Sequence, residues 1–432
     1  MSIEIALTTD SSFESACVLC WETSSWMQLR AYKQGVCPRN CLTMLFNSFI
    51  VASQVNKPFL HVWDVSKEQM HRKMTSPANI TALAFSPSGA YCAAASSETI
   101  YIWQVTTGNL LGMLSRHFQP ITCLKFTDDG SYLISGADDN LVSIWSLVSI
   151  LPTGVLEVEN ITPKYTWSEH SLPITSIHVG RGGKHANVVT SSLDHTCKLW
   201  SLSSGKLLRS FTFDVAILSV IMDAAEYRLF AGGFNGKIYA TNLFSQAFVR
   251  AGLSEHNETQ CFVGHSMQVT SISVSMDGLT LLSGSKDCTA RVWDVPSRQC
   301  LRVLQHRGSV ENVQIRPRHR NFDVKLTKTS LPILGSFKRC LHDSSSVQDN
   351  VPVRLNSFKA LKRLENNERD LCDNMIKEHC DDHDHEGGKK NLSKTQLKEQ
   401  LETAQKLNKS LYKFATEELL SDVRLQTNVH QL

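Results

Sequence analysis

The sequence predicts an all-β fold, a seven-bladed β-propeller followed by a C-terminal α-helical tail. A run of alternating apolar residues ending in tryptophan, with another apolar residue two positions on, occurs five times, at Trp63, Trp103, Trp145, Trp200 and Trp293. Looser copies end at Trp21 and at Thr241, which takes the place of the tryptophan. Successive copies are about 40 to 55 residues apart, and a period near 40 is typical of propeller blades.

Length and composition are consistent with this prediction. Of the 432 residues, 42% are apolar and 20% charged, as in ordinary soluble proteins. Seven blades of about 40 residues need about 300 residues, which leaves over a hundred for the tail. The net charge of +3 does not indicate a general polyanion binder. There is no apolar stretch long enough to span a membrane, so no membrane partner is expected.

The thirteen cysteines indicate a reducing compartment. Their number is odd, and they are scattered through predicted strands, which does not suggest a disulfide framework. Cys17 and Cys20 form a CxxC pair in a predicted strand. Side chains three apart on a strand point to opposite faces, so we expect packing cysteines and no metal site there.

Three blades repeat a set of four side chains at constant spacing. A histidine comes four residues before the first apolar residue of a strand, a serine or threonine ten before the tryptophan, and an aspartate six before it. The sets are His117, Ser135, Asp139 and Trp145; His170, Thr190, Asp194 and Trp200; and His265, Ser283, Asp287 and Trp293. They resemble the buried hydrogen-bond tetrad of WD repeats.

These residue types also occur in hydrolase triads, but a catalytic triad is needed only once, and here the order repeats. A tryptophan N–H completes each set, which gives a fully satisfied buried network. We therefore expect structural tetrads, no catalytic residues, no cofactor and no metal. The protein is predicted not to be an enzyme.

The remaining blades lack the tetrad. Its serine and aspartate positions hold Ser53 and Lys57 in blade two, Ala93 and Ser97 in blade three, and Ala231 and Asn235 in blade six. We expect these blades to depend on apolar packing alone.

The ring is predicted to close through its chain ends. Blade one lacks a first strand, because Trp21 comes too early. His306 precedes Val310 by four residues, as the tetrad histidines precede their strands. The predicted strands of blade one are 3–9, 15–21 and 25–32, with 309–315 as the inner strand, so that the propeller occupies 1–316. Closure removes exposed sheet edges.

Two connections are longer than the repeat requires. They contain LVSILPTGVLEVENITPKYTW and FSQAFVRAGLSEHNETQ, and each lies between a third strand and an outer strand. The two insertions should therefore project from the same rim, where loop extensions often carry interaction specificity. Passive drift of loop length is the alternative.

Residues 317–390 are predicted to form a basic and then acidic connector, with a helical pattern over 357–380. Residues 302–340 hold nine Lys/Arg against Glu311 and Asp323. This excess would suit nucleic acid, an acidic partner or nuclear import, or a solvated connector. It lacks interleaved aromatic residues for base stacking, so sequence-specific nucleic-acid binding is not expected. An indirect RNA contact is left open. The acidic run around His383 and His385 is interpreted as a hydrated linker, not a metal site.

A coiled-coil helix is predicted over 391–423. Apolar residues and one asparagine recur in alternating steps of four and three, forming a seam of Leu397, Leu401, Ala404, Asn408, Leu411 and Ala415. An isolated helix of three heptads is marginal in water, so it needs a partner. A seam asparagine favours a two-stranded state. Self-association into a homodimer is preferred over docking on another protein.

Whole-blade phrases resemble those of the WD repeat-containing protein 18 family. They include MLSRHFQPITCLKFTDDGSYLISGADDNLVSIWSL and GHSMQVTSISVSMDGLTLLSGSKDCTARVWDV, together with IEIALTTDSS near the N-terminus and the helical C-terminus. The resemblance implies a scaffold subunit of a nuclear complex in ribosome biogenesis. That complex supports maturation of pre-60S particles and removal of an internal rRNA spacer.

The resemblance also implies partners and a compartment. The partners are a proline- and glutamate-rich helical-repeat scaffold, an armadillo-like testis-expressed subunit, the spacer endonuclease with its polynucleotide kinase, and a SUMO protease. The compartment is the nucleus, both nucleolus and nucleoplasm, with a cytoplasmic pool left open. A generic WD-repeat adaptor, such as a substrate receptor for a ubiquitin ligase, is the alternative.

Overall fold

The computed structural model describes residues 4–12, 17–46, 48–150, 161–243, 260–318 and 334–338. Their strands form seven four-stranded antiparallel sheets, which confirms the predicted seven-bladed propeller. The predicted helix over 391–423, its seam and most of the connector lie outside the described residues.

The strands follow one another blade by blade. Blade one contains β1 (Glu4–Thr9), β2 (Val18–Glu22), β3 (Gln28–Tyr32) and the late strand β28 (Val313–Pro317). Blade two contains β4 (Leu42–Leu45), β5 (Phe49–Gln54), β6 (Lys57–Asp64) and β7 (Met70–Thr75). Blade three contains β8 (Ala82–Phe85), β9 (Tyr91–Ser96), β10 (Thr99–Gln104) and β11 (Leu110–Ser115). Blade four contains β12 (Ile121–Phe126), β13 (Tyr132–Ala137), β14 (Val142–Ser146) and β15 (Tyr165–Trp167), with the short helix α1 (Leu147–Ile150) after β14.

The other three blades repeat this order. Blade five contains β16 (Ile174–Val179), β17 (Asn187–Ser192), β18 (Thr196–Ser201) and β19 (Leu207–Thr212), with a 3-10 turn over Gly183–His185. Blade six contains β20 (Ile217–Met222), β21 (Arg228–Gly233), β22 (Ile238–Asn242) and β23 (Gln260–Phe262). Blade seven contains β24 (Val269–Val274), β25 (Thr280–Ser285), β26 (Thr289–Asp294) and β27 (Cys300–Gln305).

The chain ends close the ring in blade one, where β28 pairs antiparallel with β1 and Thr8 lies opposite Val313. The closing strand runs over Val313–Pro317 and not over the predicted 309–315. Asn312 gives the physical reason. Its side-chain amide donates to the Pro38 carbonyl at 2.8 Å and accepts from the Asn40 N–H at 2.8 Å, so it joins blade one to blade two. The regular ladder therefore begins after it.

Hydroxyl groups join successive blades at their inner strands. Thr122 Oγ1 donates to the Ile174 carbonyl at 2.6 Å, which links blade four to blade five. Equivalent bonds run from Thr81 to the Ile121 carbonyl, Thr175 to Ile217, Ser219 to Val269 and Thr270 to Val310. Each bond fixes the height of one inner strand relative to the next, which holds the strands in register around the central axis.

The core consists of layers between neighbouring blades. Alternating strand residues point to the two faces of each sheet, and both faces pack on other sheets. Trp63, Trp103, Trp145 and Trp293 are among the largest fully buried side chains. The ten described cysteines are free, and burial raises the pKa of both Cys17 and Cys20 to about 12. These two thiols are therefore protonated packing groups.

The long connections enter and leave where the sequence indicated. The first lies between β14 and β15, and the second between β22 and β23, in each case a third strand and an outer strand. Residues 151–160 and 244–259 within them lie outside the described residues. Within the described ranges, no helix combines the length and the apolar character needed to cross a membrane.

Candidate functional site: buried tetrads and the docked segment 334–338

Blade seven brings its four predicted tetrad residues together. His265 joins the set at both ring nitrogens, with Nδ1 2.8 Å from Asp287 Oδ2 and Nε2 2.8 Å from Ser283 Oγ. Trp293 Nε1 donates to the same hydroxyl oxygen at 2.8 Å. The histidine comes from the loop before β24, the serine from β25, the aspartate from the β25–β26 turn and the tryptophan from β26. The network therefore ties three strands of one blade together.

Blades four and five contain the same arrangement. His117 lies 2.9 Å from Asp139 and 2.8 Å from Ser135 Oγ, and Trp145 donates to that hydroxyl at 3.0 Å. His170 lies 2.8 Å from Asp194 and 2.8 Å from Thr190 Oγ1, and Trp200 donates to that oxygen at 3.0 Å. The threonine thus replaces the serine without changing the geometry.

The position of each proton in a tetrad follows from the two groups at its ends, the tryptophan N–H and the aspartate carboxylate. An indole N–H only donates and a carboxylate only accepts. The hydroxyl therefore accepts from tryptophan and donates to Nε2, and Nδ1–H donates to the aspartate, which requires a neutral imidazole. Burial lowers the pKa of His170 and of His265, although their aspartates oppose the shift. Both histidines are consequently uncharged at neutral pH.

The tetrad aspartates remain ionised. Burial alone would raise the pKa of Asp287, but hydrogen bonds from Thr289, His265 and the Ser266 N–H outweigh it and lower the pKa. Thr289 Oγ1 donates to Asp287 Oδ1 at 2.6 Å and the Ser266 N–H to Oδ2 at 3.1 Å. The pKa values of Asp139 and Asp194 are lowered by similar bonds acting against burial.

This geometry is unsuited to nucleophilic catalysis. Ser135, Thr190 and Ser283 are fully buried, so no substrate reaches their hydroxyl groups. Each hydroxyl oxygen also accepts a tryptophan N–H, so the lone pair that would attack a substrate is already engaged in a hydrogen bond. In the described part of the chain, no group of three or more His, Cys, Asp or Glu side chains could hold a metal ion. The tetrads stabilise blades.

A shorter network in blade one escaped the sequence analysis. Trp21 Nε1 donates to Thr8 Oγ1 at 2.9 Å, and His306 Nε2 lies 2.8 Å from the same oxygen. Thr8 is 13 residues before Trp21 and not ten, because the β1–β2 connection is longer, so the fixed spacing did not find it. Asp10 accepts from the Arg307 and Gly308 N–H groups at 3.0 and 2.9 Å. These bonds tie the first strand of the propeller to the segment that precedes its last strand.

The expectation that blades two and three depend on apolar packing alone was wrong. Trp63 Nε1 donates to the Lys33 carbonyl at 3.1 Å, and Trp103 Nε1 donates to the Lys338 carbonyl at 2.8 Å. A buried indole N–H without an acceptor costs about 1–3 kcal/mol, and in both blades a backbone carbonyl from outside the blade's tetrad positions removes that cost. In blade six, Asn235 Nδ2 donates to the Tyr239 hydroxyl at 3.0 Å.

The acceptor for Trp103 belongs to residues 334–338, LGSFK, which we call the docked segment. Phe337 in this segment is buried and stacks on the Trp103 ring. Backbone bonds run from Gly335 N to the Val105 carbonyl and from Lys338 N to the Gly108 carbonyl, both at 2.8 Å. Part of the region interpreted as a connector is therefore packed on the propeller.

The docked segment also bridges two blades. Leu334 is buried in the core cluster that contains residues of blades two and three. Arg72 on β7, the outer strand of blade two, donates to the Leu334 carbonyl. Gly108 has a φ of +74°, and a Cβ there would overlap the Ser336 carbonyl, so the close approach requires glycine.

The basic residues of the stretch 302–340 have different environments. Arg318 Nη1 pairs with Glu22 Oε1 at 2.9 Å. Arg316 lies on the closing strand β28, where it pairs with Ile5 of β1. Arg320, Lys325, Lys328 and Arg339 lie outside the described residues, as do the seam residues Leu397, Leu401, Ala404, Asn408, Leu411 and Ala415.

Comparison with known proteins places these features in a family. The sequence matches the WD domain, G-beta repeat (WD40) over residues 69–104, 108–146, 161–201 and 256–294. WD repeat-containing protein 18 of Danio rerio is 37% identical over 428 residues, covering 96% of this chain and 98% of that protein. The Homo sapiens protein is 38% identical over 428 residues, covering 96% and 97%. This chain belongs to the WD repeat-containing protein 18 family.

The WD repeat-containing protein 18 likeness extends beyond the four matched repeats, because the alignments span nearly the whole of both chains. Each matched repeat contains the outer strand of one blade and the first three strands of the next, and the four repeats end in blades three, four, five and seven. A more distant relative, pre-rRNA-processing protein pro-1 of Caenorhabditis elegans, is 26% identical over 275 residues, covering 62% of this chain and 51% of that protein.

Proposed function

We propose that this protein is a non-catalytic scaffold subunit of a nuclear complex in ribosome biogenesis. In this proposal it supports maturation of pre-60S particles and removal of an internal spacer from pre-rRNA. The observation that carries the proposal is membership of the WD repeat-containing protein 18 family, together with likeness to a relative named for pre-rRNA processing.

The architecture favours a scaffold over an enzyme. Its His, Ser/Thr and Asp sets serve three blades as buried supports, with the hydroxyl groups out of reach of substrates. A closed ring presents loops around two rims, and such loops on a rigid framework are common interaction surfaces. The two long connections both lie between a third strand and an outer strand. They therefore add to one rim of the ring residues that the shorter connections of the other blades lack.

The proposed partners are proteins. They are the helical-repeat scaffold rich in proline and glutamate, the armadillo-like subunit, the spacer endonuclease with its kinase, and the SUMO protease. Self-association through the seam from Leu397 to Ala415 would double each partner site. The proposed compartment is the nucleus, including the nucleolus and nucleoplasm.

Depletion followed by Northern blotting tests the proposal. Cells lacking the protein should accumulate large-subunit precursors that retain the internal spacer, and full-length protein should restore processing. A variant that retains the ring but lacks residues 244–259 tests whether the long rim connection recruits partners. We expect that this variant does not co-purify with precursor particles and that its melting temperature equals that of the wild type.

A generic WD-repeat adaptor would behave differently. Substrate receptors of ubiquitin ligases co-purify with ligase subunits, and their loss stabilises a substrate. Normal spacer processing after complete depletion, together with ligase subunits in the purified complex, would overturn the ribosome-biogenesis proposal in favour of that alternative.

A further inference from the structure

A lysine, a histidine and an arginine on three different blades face the central channel. Strands β4, β8, β12, β16, β20, β24 and β28 are the inner strands of their blades and surround the axis. Lys125 on β12 and His178 on β16 occupy equivalent positions. Each directly follows the residue that pairs with the tetrad hydroxyl residue of its blade, since Leu124 pairs with Ser135 and Ile177 pairs with Thr190. Arg316 comes from β28, in blade one.

The two cations, Lys125 and Arg316, act on His178 and on each other. Burial is the main cause that lowers the pKa of His178, and the charges of Lys125 and Arg316 add to it, so that the pKa is about 3. Burial also lowers the pKa of Lys125, and the charge of Arg316 adds to that effect. The charged groups that act on His178 are thus both cations. Lys125 and Arg316 keep solvent-exposed surface although protein surrounds them, which indicates a water-filled channel. Enclosed like charges raise the free energy of the fold unless an anion compensates them.

His178 contributes a hydrogen-bond donor. Its Nδ1 accepts from the Met222 N–H of blade six at 3.3 Å, so the neutral ring carries its proton on Nε2. An N–H, a lysine ammonium and a guanidinium together form a donor set suited to a phosphate group, which Arg binds through two parallel bonds and Lys as a point charge.

The channel is closed at the end where the inner strands begin. Arg39, in the loop between blades one and two, reaches across the axis and donates to the Leu218 carbonyl of blade six and, at 3.4 Å, to the Thr175 carbonyl of blade five. Asn40 Nδ2 donates to the Thr122 carbonyl at 3.0 Å. Among the described residues, the buried Arg39 Nε has no partner, so a donor remains at this closed end.

We propose that the central channel binds a small phosphate-bearing anion between Lys125, His178 and Arg316. His178 is three residues beyond Thr175, about 10 Å along the strand from the level that Arg39 closes. The ligand therefore enters from the end where the inner strands finish. A polynucleotide cannot pass through, because Arg39 and Asn40 block the far end.

Isothermal titration of the full-length chain in chloride buffer tests this site with three probes. Inorganic phosphate, tripolyphosphate and inositol hexakisphosphate distinguish a free phosphate, an oligophosphate and a phosphate ester. At least one should bind, and Lys125→Gln and Arg316→Gln should each weaken that binding at least tenfold. Lys67→Gln, an exposed lysine on blade two, is the matched control and should leave the affinity unchanged.

Thermal melting supplies a second measurement that does not need the ligand identified. In buffer without phosphate, Lys125→Gln should melt at a higher temperature than the wild type, because one of the repelling charges is gone. The probe that binds in the titration should raise the melting temperature of the wild type, and at the same concentration it should raise that of Lys125→Gln less. The proposal is wrong if none of the three probes binds the wild type, or if both channel variants bind as tightly as Lys67→Gln.

Discussion

The ring of Phe337 lies parallel to the indole of Trp103, with 5.0 Å between ring centroids and 6° between planes. The Lys338 carbonyl next to it accepts the Trp103 N–H at 2.8 Å. One short segment thus covers the face of this tryptophan and satisfies its polar atom. In the tetrad blades, residues of the blade itself supply that acceptor.

Phe337→Ala should release the docked segment. Loss of the stacked ring removes its main apolar contact, and truncating a buried phenylalanine costs about 3–5 kcal/mol when the site cannot collapse. Trypsin should then cleave after Lys338 at least ten times faster than in the wild type. Ser336→Ala, at an exposed position of the same segment, is the control and should leave the rate unchanged. Equal rates for both variants would show that Phe337 does not hold the segment.

Asp287→Ala should destabilise blade seven. It leaves His265 Nδ1–H and the Ser266 N–H without their acceptor, at a cost of about 1–3 kcal/mol for a buried group. Urea unfolding measures the change. Asn235→Ala is the matched control, because Asn235 occupies the aspartate position of a blade without a tetrad, and it should cost less. A larger loss for the control would contradict the structural importance of the tetrad.

Stability should decrease as the pH is lowered from 7.5 to 5.5. Burial lowers the pKa of five histidines, namely His61, His170, His178, His265 and His306. Because their folded pKa lies below the unfolded value near 6.5, the unfolded chain binds more protons, and the stability present above pH 6.5 is lost on acidification. Each contributes up to about 1.4 kcal/mol per pH unit below its unfolded pKa.

Urea midpoints at several pH values measure this effect. A second loss should follow below about pH 4, because the lowered pKa values of Asp139, Asp194 and Asp287 make protonation favour the unfolded chain. The variant His178→Gln removes one titrating group without adding a charge, so it should show a shallower dependence between pH 6.5 and 5.5. A flat profile for the wild type would contradict the neutral, buried histidines.

A chain ending at residue 305 should fail to form a soluble, fully folded ring. It lacks β28 and His306, so β1 keeps β2 but loses its other antiparallel neighbour, and Thr8 keeps Trp21 but loses His306. A chain ending at residue 346 keeps both and also the docked segment, which makes it the matched control. Circular dichroism, light scattering and thermal melting compare the two. A well-folded monomer from the shorter chain would contradict closure as a requirement.

Leu401→Asp combined with Leu411→Asp should convert a dimer into a monomer with an intact propeller. Both positions lie on the predicted seam, where charges oppose burial against a second helix. Thr403→Asp with Ser410→Asp adds the same charge away from the seam and should leave the dimer unchanged. Light scattering gives the mass and circular dichroism the fold. If the wild type is monomeric at micromolar concentration, the seam serves a different protein.

The sequence by itself determined the blade count, the three tetrads and the position of the long connections. These features are local, because a blade is a contiguous segment whose strands pair with their immediate neighbours. His265 and Trp293 could be assigned to one network since both belong to the same repeat of about 40 residues. The position of the chain closure was also recognisable, because His306 repeats the offset of the tetrad histidines.

Only the tertiary structure decided the contacts between residues far apart in the chain. The acceptor of Trp103 is 235 residues away, in a segment with no repeat pattern, and no periodicity predicts which carbonyl will satisfy a buried indole. Thr8 could not be recognised by spacing, because its loop differs in length from those of the other blades. Lys125, His178 and Arg316 come together since the ring brings inner strands of separate blades around one axis, and that proximity exists only after the ring closes.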